Sequence, residues 1–336
     1  MRLQQFWQNQ GHHTFLATGS KEAKGTAVYH LPDTQKSDFL VELIGDQQIE
    51  AVLWQYSPYA LHPRGTPWWM VLAMWRVRKA GILQAIFFHE VQIRYSEPGL
   101  FNKFRALQQQ IIANLCAKLA GGRIATSIPL YQSYFLGVRP GLIPISPNLL
   151  PQSAMATCPL RVVAFANRIF PWLLAALAQV QKELPKVEVV WLGKKSTPLS
   201  SDDILNTYGL TSRFTGEIAN EALAAEMQAA HIVLLPLSLG PARQGGISLK
   251  SGTLSAALGM RKAVIASSGD MTEKNLLVHG KVLHLLSENN TDAWKQAILQ
   301  VLQQPGYADT LATGGHGFYQ SFLSWDKTGR AILDLF

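Results

Sequence analysis

The sequence predicts an α/β fold of two domains, each with a mostly parallel sheet. Three observations carry that expectation. Short apolar runs recur along the chain with helix-patterned segments between them, which is the alternation of a parallel sheet. The clearest unit, residues 231–270, reads strand, loop, helix, strand, with the loop at a strand's carboxyl end, where open α/β sheets bind ligands. At 336 residues the chain is long enough for two domains of ordinary size.

Composition narrows the class. Hydrophobic residues make up 48% of the chain, charged residues only 15%, and there are nine tryptophans. Such a chain builds a sizeable core and leaves apolar surface to face a partner or a membrane. The formal charge of +8 and pI near 9.4 favour anionic ligands. The basic residues are scattered, with no arm, tail or nucleic-acid-binding motif, so no nucleic acid partner is expected. Cys116 and Cys158 are far apart and match no metal spacing. They predict buried thiols in a reducing, cytoplasmic compartment. Residues 1–10 are too polar for a signal peptide. No apolar run reaches the about 18 residues of a membrane span.

Taken in order, residues 1–10 read as a short helix with Leu3, Phe6 and Trp7 on one face, ended by Gly11. Residues 12–18 and 27–31 read as strands and 37–43 as a helix. The run Ala51–Tyr56 is a buried strand, followed by a polar-aromatic loop holding Tyr56, Tyr59, His62 and Arg64. In the helix at 68–80, Trp68, Trp69, Leu72 and Trp75 fall at helical spacing and Arg76, Arg78 and Lys79 close it. It reads either as a basic-aromatic face for peripheral membrane contact or as a core helix whose cations match its dipole. The core reading is preferred, because apolar positions surround much of the helix. Residues 82–89 form a strand with His89 and Glu90 at its carboxyl end. A mobile loop at 95–102, a helix at 104–119 ended by Gly121 and Gly122, a strand at 123–127 and a helix at 129–135 follow. Pro140, Pro144, Pro147 and Pro151 mark an inter-domain linker.

The second half opens with a strand at 160–165, a turn at 166–168 and a helix at 173–183. A strand at 187–192 leads to Gly193, Lys194 and Lys195. A helix fragment at 204–208, a short strand at 213–216 and a helix at 220–230 follow. The apolar run 231–237 is a buried strand. Its loop carries Gly240, Arg243, Gly245, Gly246, Ser248, Lys250, Ser251 and Gly252. Free backbone N–H groups at the next helix start, Gly252 and Thr253, with Arg243 and Lys250 beside them, would suit a phosphate or diphosphate. The same pattern also occurs in α/β proteins that bind no phosphate there. Residues 263–266 form the next strand, 282–286 the last, and 291–303 a helix.

These motifs resemble the donor-binding region of GT-B glycosyltransferases, the retaining, sugar-nucleotide-dependent kind similar to glycogen and sucrose synthases (glycosyltransferase group 1). Leu234-Leu235-Pro236 matches the family's strand ending in LLP, and Gly252 to Ser267 its loop, helix and strand. The segments 123–127 and 322–326 match its A-T-S and F-S-W elements. Two features depart. The family's two glutamates fall on Ser248 and Ala256, and the helix ends in Gly259-Met260-Arg261-Lys262 without Gly-x-Pro.

The resemblance implies the GT-B architecture, two Rossmann-like domains facing a cleft. Residues 1–150 would be the acceptor side, 158–322 the nucleotide-sugar domain, and 323–336 a helix returning to the first. The strand and glycine loop that the family places before the 12–18 strand are not found in residues 1–11: either the recorded start lies downstream of the true one, or the protein does without that strand. The implied activity moves a sugar from a nucleotide-sugar donor to an acceptor alcohol or glycan. Arg168, Lys194 or Lys195, Arg243, Lys250, Gly252 and Thr253 would hold the donor diphosphate. His89 and Glu90 would bind or orient a sugar hydroxyl on the catalytic side, and Tyr56 and Arg64 would face the acceptor. No cofactor and no metal are implied, since no DxD pair is placed to hold one. A cytoplasmic enzyme, peripheral to the inner face of the membrane, fits this reading. Two alternatives stay open: a binding or scaffold relative without catalysis, and a sugar-nucleotide epimerase.

Overall fold

The structure is a computed structural model that describes residues 2–20, 27–93, 99–150, 160–195, 198–240 and 244–336. The chain divides into two compact units, Met1–Pro144 with Trp325–Phe336, and Ile145–Ser324. Among the described residues, all strands of the sheets pair in parallel.

The first unit begins with α1 (Arg2–Asn9), β1 (Leu16–Thr18), β2 (Val28–His30) and α2 (Lys36–Asp46). Next come β3 (Ala51–Tyr56), α3 (Pro58–Leu61), α4 (Trp68–Lys79) and β4 (Leu83–Phe88). The unit continues through α5 (Leu100–Leu119), β5 (Ile124–Thr126), α6 (Pro129–Gln132) and β6 (Gly141–Leu142). Strands β3-β4-β5-β6 form one sheet, and β1-β2 a separate pair. β4 is central and buried from Gln84 to Phe88, as expected of a strand covered on both faces.

Three expectations change here. The proline run at 140–151 is not all linker, because Gly141 and Leu142 pair with Ala125 and Thr126. The loop at 95–102 lies partly outside the described residues; from Leu100 onward the chain is already helix, because Gly99 takes φ 101° and the turn ends there. In α4 the buried residues are Met70, Ala73, Met74 and Val77, while Trp68, Leu72 and Trp75 are exposed. The preferred core reading of its aromatic positions is therefore wrong; the smaller apolar residues make the core.

The second unit contains β7 (Arg161–Phe165), α7 (Pro171–Glu183), β8 (Glu188–Leu192), α8 (Ser201–Tyr208), β9 (Ser212–Phe214) and α9 (Asn220–Gln228). It continues with β10 (Ile232–Leu235), α10 (Gly252–Gly259), β11 (Ala263–Ser267), β12 (His284–Leu286), α11 (Thr291–Gln303) and α12 (Pro305–Phe318). A π-helical stretch, Tyr319–Leu323, precedes α13 (Trp325–Leu333), which belongs to the first unit. The sheet order is β12-β11-β10-β7-β8-β9. Val162, Ala164, Val189, Trp191, Ile232, Leu234 and Ile265 of the sheet pack with Leu173, Leu177, Trp294 and Ile298 of the helices.

Local chemistry explains two boundaries the sequence reading missed. α8 starts at Ser201 because Ser200 and Asp203 form a capping box, each side chain accepting from the other's backbone N–H. α12 forms despite Gly314, Gly315 and Gly317 because the site demands small residues. A Cβ on Gly314 would lie 2.1 Å from the Lys281 carbonyl, and one on Gly315 would lie 2.6 Å from Leu258.

Candidate functional site

Sheet order locates the site. From β7 the chain steps outward through β8 to β9, then returns to β10 on the other side of β7 and steps outward again. The switch point lies between β7 and β10, and crevices at the carboxyl ends of such strands hold ligands. The turn after β7 carries Arg168, and the loop after β10 carries the glycines, Lys250 and the start of α10.

Arg168 is half-buried, and its backbone N–H closes a turn onto Phe165 O at 2.9 Å. Its Nη1 is buried and has no hydrogen-bond partner among the described residues. Burial lowers its pKa from the usual arginine value. An unmet buried donor of this kind costs about 1–3 kcal/mol, a penalty that an anionic ligand would relieve.

The loop after β10 is fixed by the segment after β11. Gly245 N–H donates to Asp270 Oδ1 at 2.7 Å, Met271 N–H to Gly245 O at 2.9 Å, and Leu249 N–H to Glu273 Oε2 at 3.1 Å. Gly246 has φ +88°, and a Cβ there would stand 2.2 Å from Gly269 N. Only glycine fits both the angle and the approach. Ser267 and Asn289 clamp the loop's start. Leu237 N–H donates to Ser267 Oγ, Ser267 Oγ to Asn289 Oδ1, and Asn289 Nδ2 to Leu237 O.

At the far end of the loop, Ser251 caps α10, its Oγ accepting from Leu254 N at 3.2 Å. The first N–H groups of α10, on Gly252 and Thr253, have no intrahelical acceptor. They carry the positive end of the helix dipole. Lys250 is half-buried one residue before the cap. Arg243 lies outside the described residues. Ser255 Oγ donates to Ile145 O, and Ile145 N–H to Leu249 O at 3.0 Å, so the opening of this unit also braces the loop.

Lys194 and Lys195 follow β8, one strand further from the switch point. Both are exposed. Lys195 donates to Leu199 O at 3.3 Å and sits 4.6 Å over the Phe214 ring, which leaves Lys194 as the better placed cation. Ser248 and Ala256 are buried. Besides Asp270, a second carboxylate meets the loop: Glu273, which sequence reasoning missed. Burial raises its pKa to about 7, and its Oε1 is buried with no partner among the described residues. Its only sequence signal was an acidic residue shortly after a strand's carboxyl end.

The first unit gathers polar groups at the matching edge of its own sheet. His89 follows β4; its N–H donates to Tyr56 O at 2.9 Å, and its Nε2 bonds Gln55 Oε1. Burial lowers its pKa to about 4, so the ring is neutral at pH 7. Glu90 is exposed, and Ser57 Oγ donates to its Oε2 at 3.4 Å. Arg64 is exposed, its N–H donating to His62 Nδ1 at 3.2 Å. Tyr56 is corrected: it is fully buried, with its ring 5.0 Å from Phe88, and is a core residue rather than an acceptor contact. Strand alternation turns its side chain inward while leaving Gln55 exposed. Among the described residues, no three His, Cys, Asp or Glu side chains cluster as metal ligands. In the second unit, a surface cavity of about 530 Å³ lined by Lys186, Glu188, Thr211 and Arg213 lies at the amino ends of β8 and β9, opposite the carboxyl ends that carry Arg168 and Lys250.

Two α/β units with parallel sheets are the GT-B fold. Three solved structures share that fold. Sucrose-phosphate synthase from Thermosynechococcus elongatus aligns with TM-score 0.69 and 15% identity over 99% of this chain and 90% of its own. WaaG, a glycosyltransferase involved in lipopolysaccharide biosynthesis, aligns with TM-score 0.61 and 11% identity over 100% and 94%. HepE from Anabaena, in complex with UDP-glucose, aligns with TM-score 0.61 and 16% identity over 91% and 85%. No curated protein matches the sequence significantly. Residues 160–304 match the family of glycosyl transferases group 1. That match lies within the second unit, and the solved structures show that the chain has the GT-B fold.

Proposed function

We propose that the second unit binds a nucleoside-diphosphate sugar at its β7–β10 switch point and gives up the sugar to an acceptor hydroxyl. The observation that carries this reading is the buried, unpartnered Nη1 of Arg168 at that switch point. In this reading Arg168, Lys250 and the Gly252 and Thr253 N–H groups take the diphosphate, with Arg243 and Lys194 as further cations. Negative charge grows on the diphosphate as the glycosidic bond breaks, and fixed donors stabilise it best at that moment. His89, neutral at pH 7, and Glu90 serve as hydroxyl ligands, and Arg64 as an acceptor-side contact. The HepE complex with UDP-glucose supports a uridine donor as the first to try. A cytoplasmic location fits the buried free thiol of Cys116.

One observation favours a second reading, donor binding without turnover. Ser248 and Ala256, which stand where the family resemblance expects two glutamates, are buried and carry no carboxylate.

Calorimetry with UDP, UDP-glucose and GDP tests the site. Arg168→Ala should weaken the bound nucleotide by about tenfold or more, and Lys250→Ala by several-fold. If no nucleotide binds, or if Arg168→Ala binds as wild type, the site is misassigned. Release of free UDP from UDP-glucose, with or without added alcohols, separates turnover from binding alone.

A further inference from the structure

We propose that α4 and α5 of the first unit form a docking surface for an anionic phospholipid bilayer. The inference does not depend on the donor site. α5 wears its apolar side outward. Leu100, Phe104, Leu107, Ile111, Leu115 and Lys118 recur at steps of about one helical turn and form one stripe, and all six are exposed. Leu100 is 85% exposed and Phe104 57%. The opposite, buried face holds Ala106, Gln109, Ile112, Ala113, Cys116 and Ala117. A helix serving only its own core would reverse that arrangement.

α4 extends the patch. Trp68, Leu72 and Trp75 are each nearly half exposed. With Arg78, Leu115 and Lys118 they line a groove of about 740 Å³ between the two helices. Beyond the Asn114 end, Leu136 is exposed too, its N–H donating to Asn114 Oδ1 at 2.9 Å. Contiguous apolar surface of this kind marks an interaction site.

Charge selects the occupant. Neither helix contains Asp or Glu, while α4 carries Arg76, Arg78 and Lys79 and α5 carries Lys103, Arg105 and Lys118. Arg76 is held by Asp38 of α2. Arg78 donates to Lys118 O at 2.7 Å, which leaves its charge unneutralised by that bond. Lys79 lies 4.5 Å over Trp75 and Arg105 4.7 Å from Phe101. Such cation–aromatic pairs suit the boundary between headgroups and acyl chains. An apolar stripe rimmed by cations complements acidic headgroups above acyl chains. A second copy meeting through this face would bring like charges together. Among the described residues no helix is long and apolar enough to cross a membrane, so α4 and α5 lie on the surface.

Co-sedimentation of the full chain with phosphatidylglycerol vesicles and with phosphatidylcholine vesicles tests the proposal. Binding should be about tenfold or more tighter to phosphatidylglycerol and should fall with added salt. Leu107→Glu with Ile111→Glu should abolish it. Lys103→Glu with Lys118→Glu should remove the lipid preference. All four positions are exposed, and circular dichroism with a thermal melt checks that the variants fold. On wild type, brominated acyl chains should quench tryptophan emission, a readout that needs no variant. Absence of vesicle binding, or binding unchanged by both variant pairs, overturns the proposal. A soluble dimer split by Leu107→Glu with Ile111→Glu, without vesicle binding, reassigns the face to self-association and overturns it equally.

Discussion

Gly246 shows how much one residue decides at this site. Its φ of +88° lies in the left-handed region, and a Cβ would stand 2.2 Å from Gly269 N and 2.7 Å from Thr272 Oγ1. Alanine adds strain at the angle and a collision with backbone, two costs that act together. Gly246→Ala should lower stability by about 2–4 kcal/mol in urea denaturation, with nucleotide affinity falling further. Gly240 is a useful control, since it has no positive φ and a Cβ there meets only Gln244 atoms, at 3.3 Å or more. Equal stability of the two variants would mean that the loop is not held as described. The glycines of this loop were legible in the sequence as a loop at a strand's carboxyl end. Their separate duties were not, because the partner segment, Gly269 to Glu273, arrives only after a further helix and strand.

At the scale of elements, charge is segregated along the second sheet. Arg161, Glu188 and Ser212 start β7, β8 and β9. At that amino edge Arg161 pairs with Glu188 at 2.7 Å and Glu226 at 3.2 Å. Arg213 pairs with the same two carboxylates at 2.9 and 2.8 Å. Four side chains from three strands and α9 thus make a closed lattice. The hydrogen bonds from Arg213 and Arg161 hold the Glu188 carboxyl below its ordinary range against partial burial. The sequence read Arg213 only as part of a short strand; the structure gives the arginine a structural duty at the amino edge. Glu226→Gln should lower stability by about 1 kcal/mol, since the lattice is partly exposed, and leave nucleotide affinity unchanged. A loss of nucleotide affinity in that variant, measured by calorimetry, would contradict the division of the sheet into a structural edge and a ligand edge. Strands and helices of this unit were readable because their apolar runs are long and regular. α12 was not, since Gly314 and Gly315 read as breakers until Lys281 and Leu258 are seen to require them. The outward face of α4 was unreadable for another reason. Helical periodicity marks a stripe of large apolar residues but does not say which side of the helix is covered, and here Ala73 and Met74, not Trp75, meet the core.

At the scale of the whole molecule, the two-domain α/β class was legible through the alternation of strands and helices, and the GT-B class only through the resemblance carried by residues 234–267. What sequence could not supply was the balance of buried ionisable groups, which depends on packing between distant segments. His89 in the first unit and His284 in the second have pKa values lowered to about 4 by burial. Glu273 in the second is raised to about 7 by the same cause. A histidine with a lowered folded pKa contributes stability that is present above about 6.5 and is lost as pH falls toward 4. A carboxyl with a raised folded pKa contributes stability that is present below about 4.5 and is lost as pH rises through 7. Acidification from pH 7 to 4.5 therefore weakens the first unit through His89, while in the second the gain at Glu273 opposes the loss at His284. His89→Gln, which keeps a donor for Gln55, should reduce the wild type's loss over that window by about 1–2 kcal/mol after screening is allowed for. Glu273→Gln should do the reverse: its advantage over wild type should grow as pH rises from 4.5, be full once pH passes about 7, and vanish near pH 4.5. Urea denaturation of the three proteins at half-unit steps from pH 8 to 4.5 reads both effects. Wild-type and variant curves that stay parallel across the range would show that neither group is buried as the fold places it. Opposite slopes for the two variants would establish that each unit carries its own pH response.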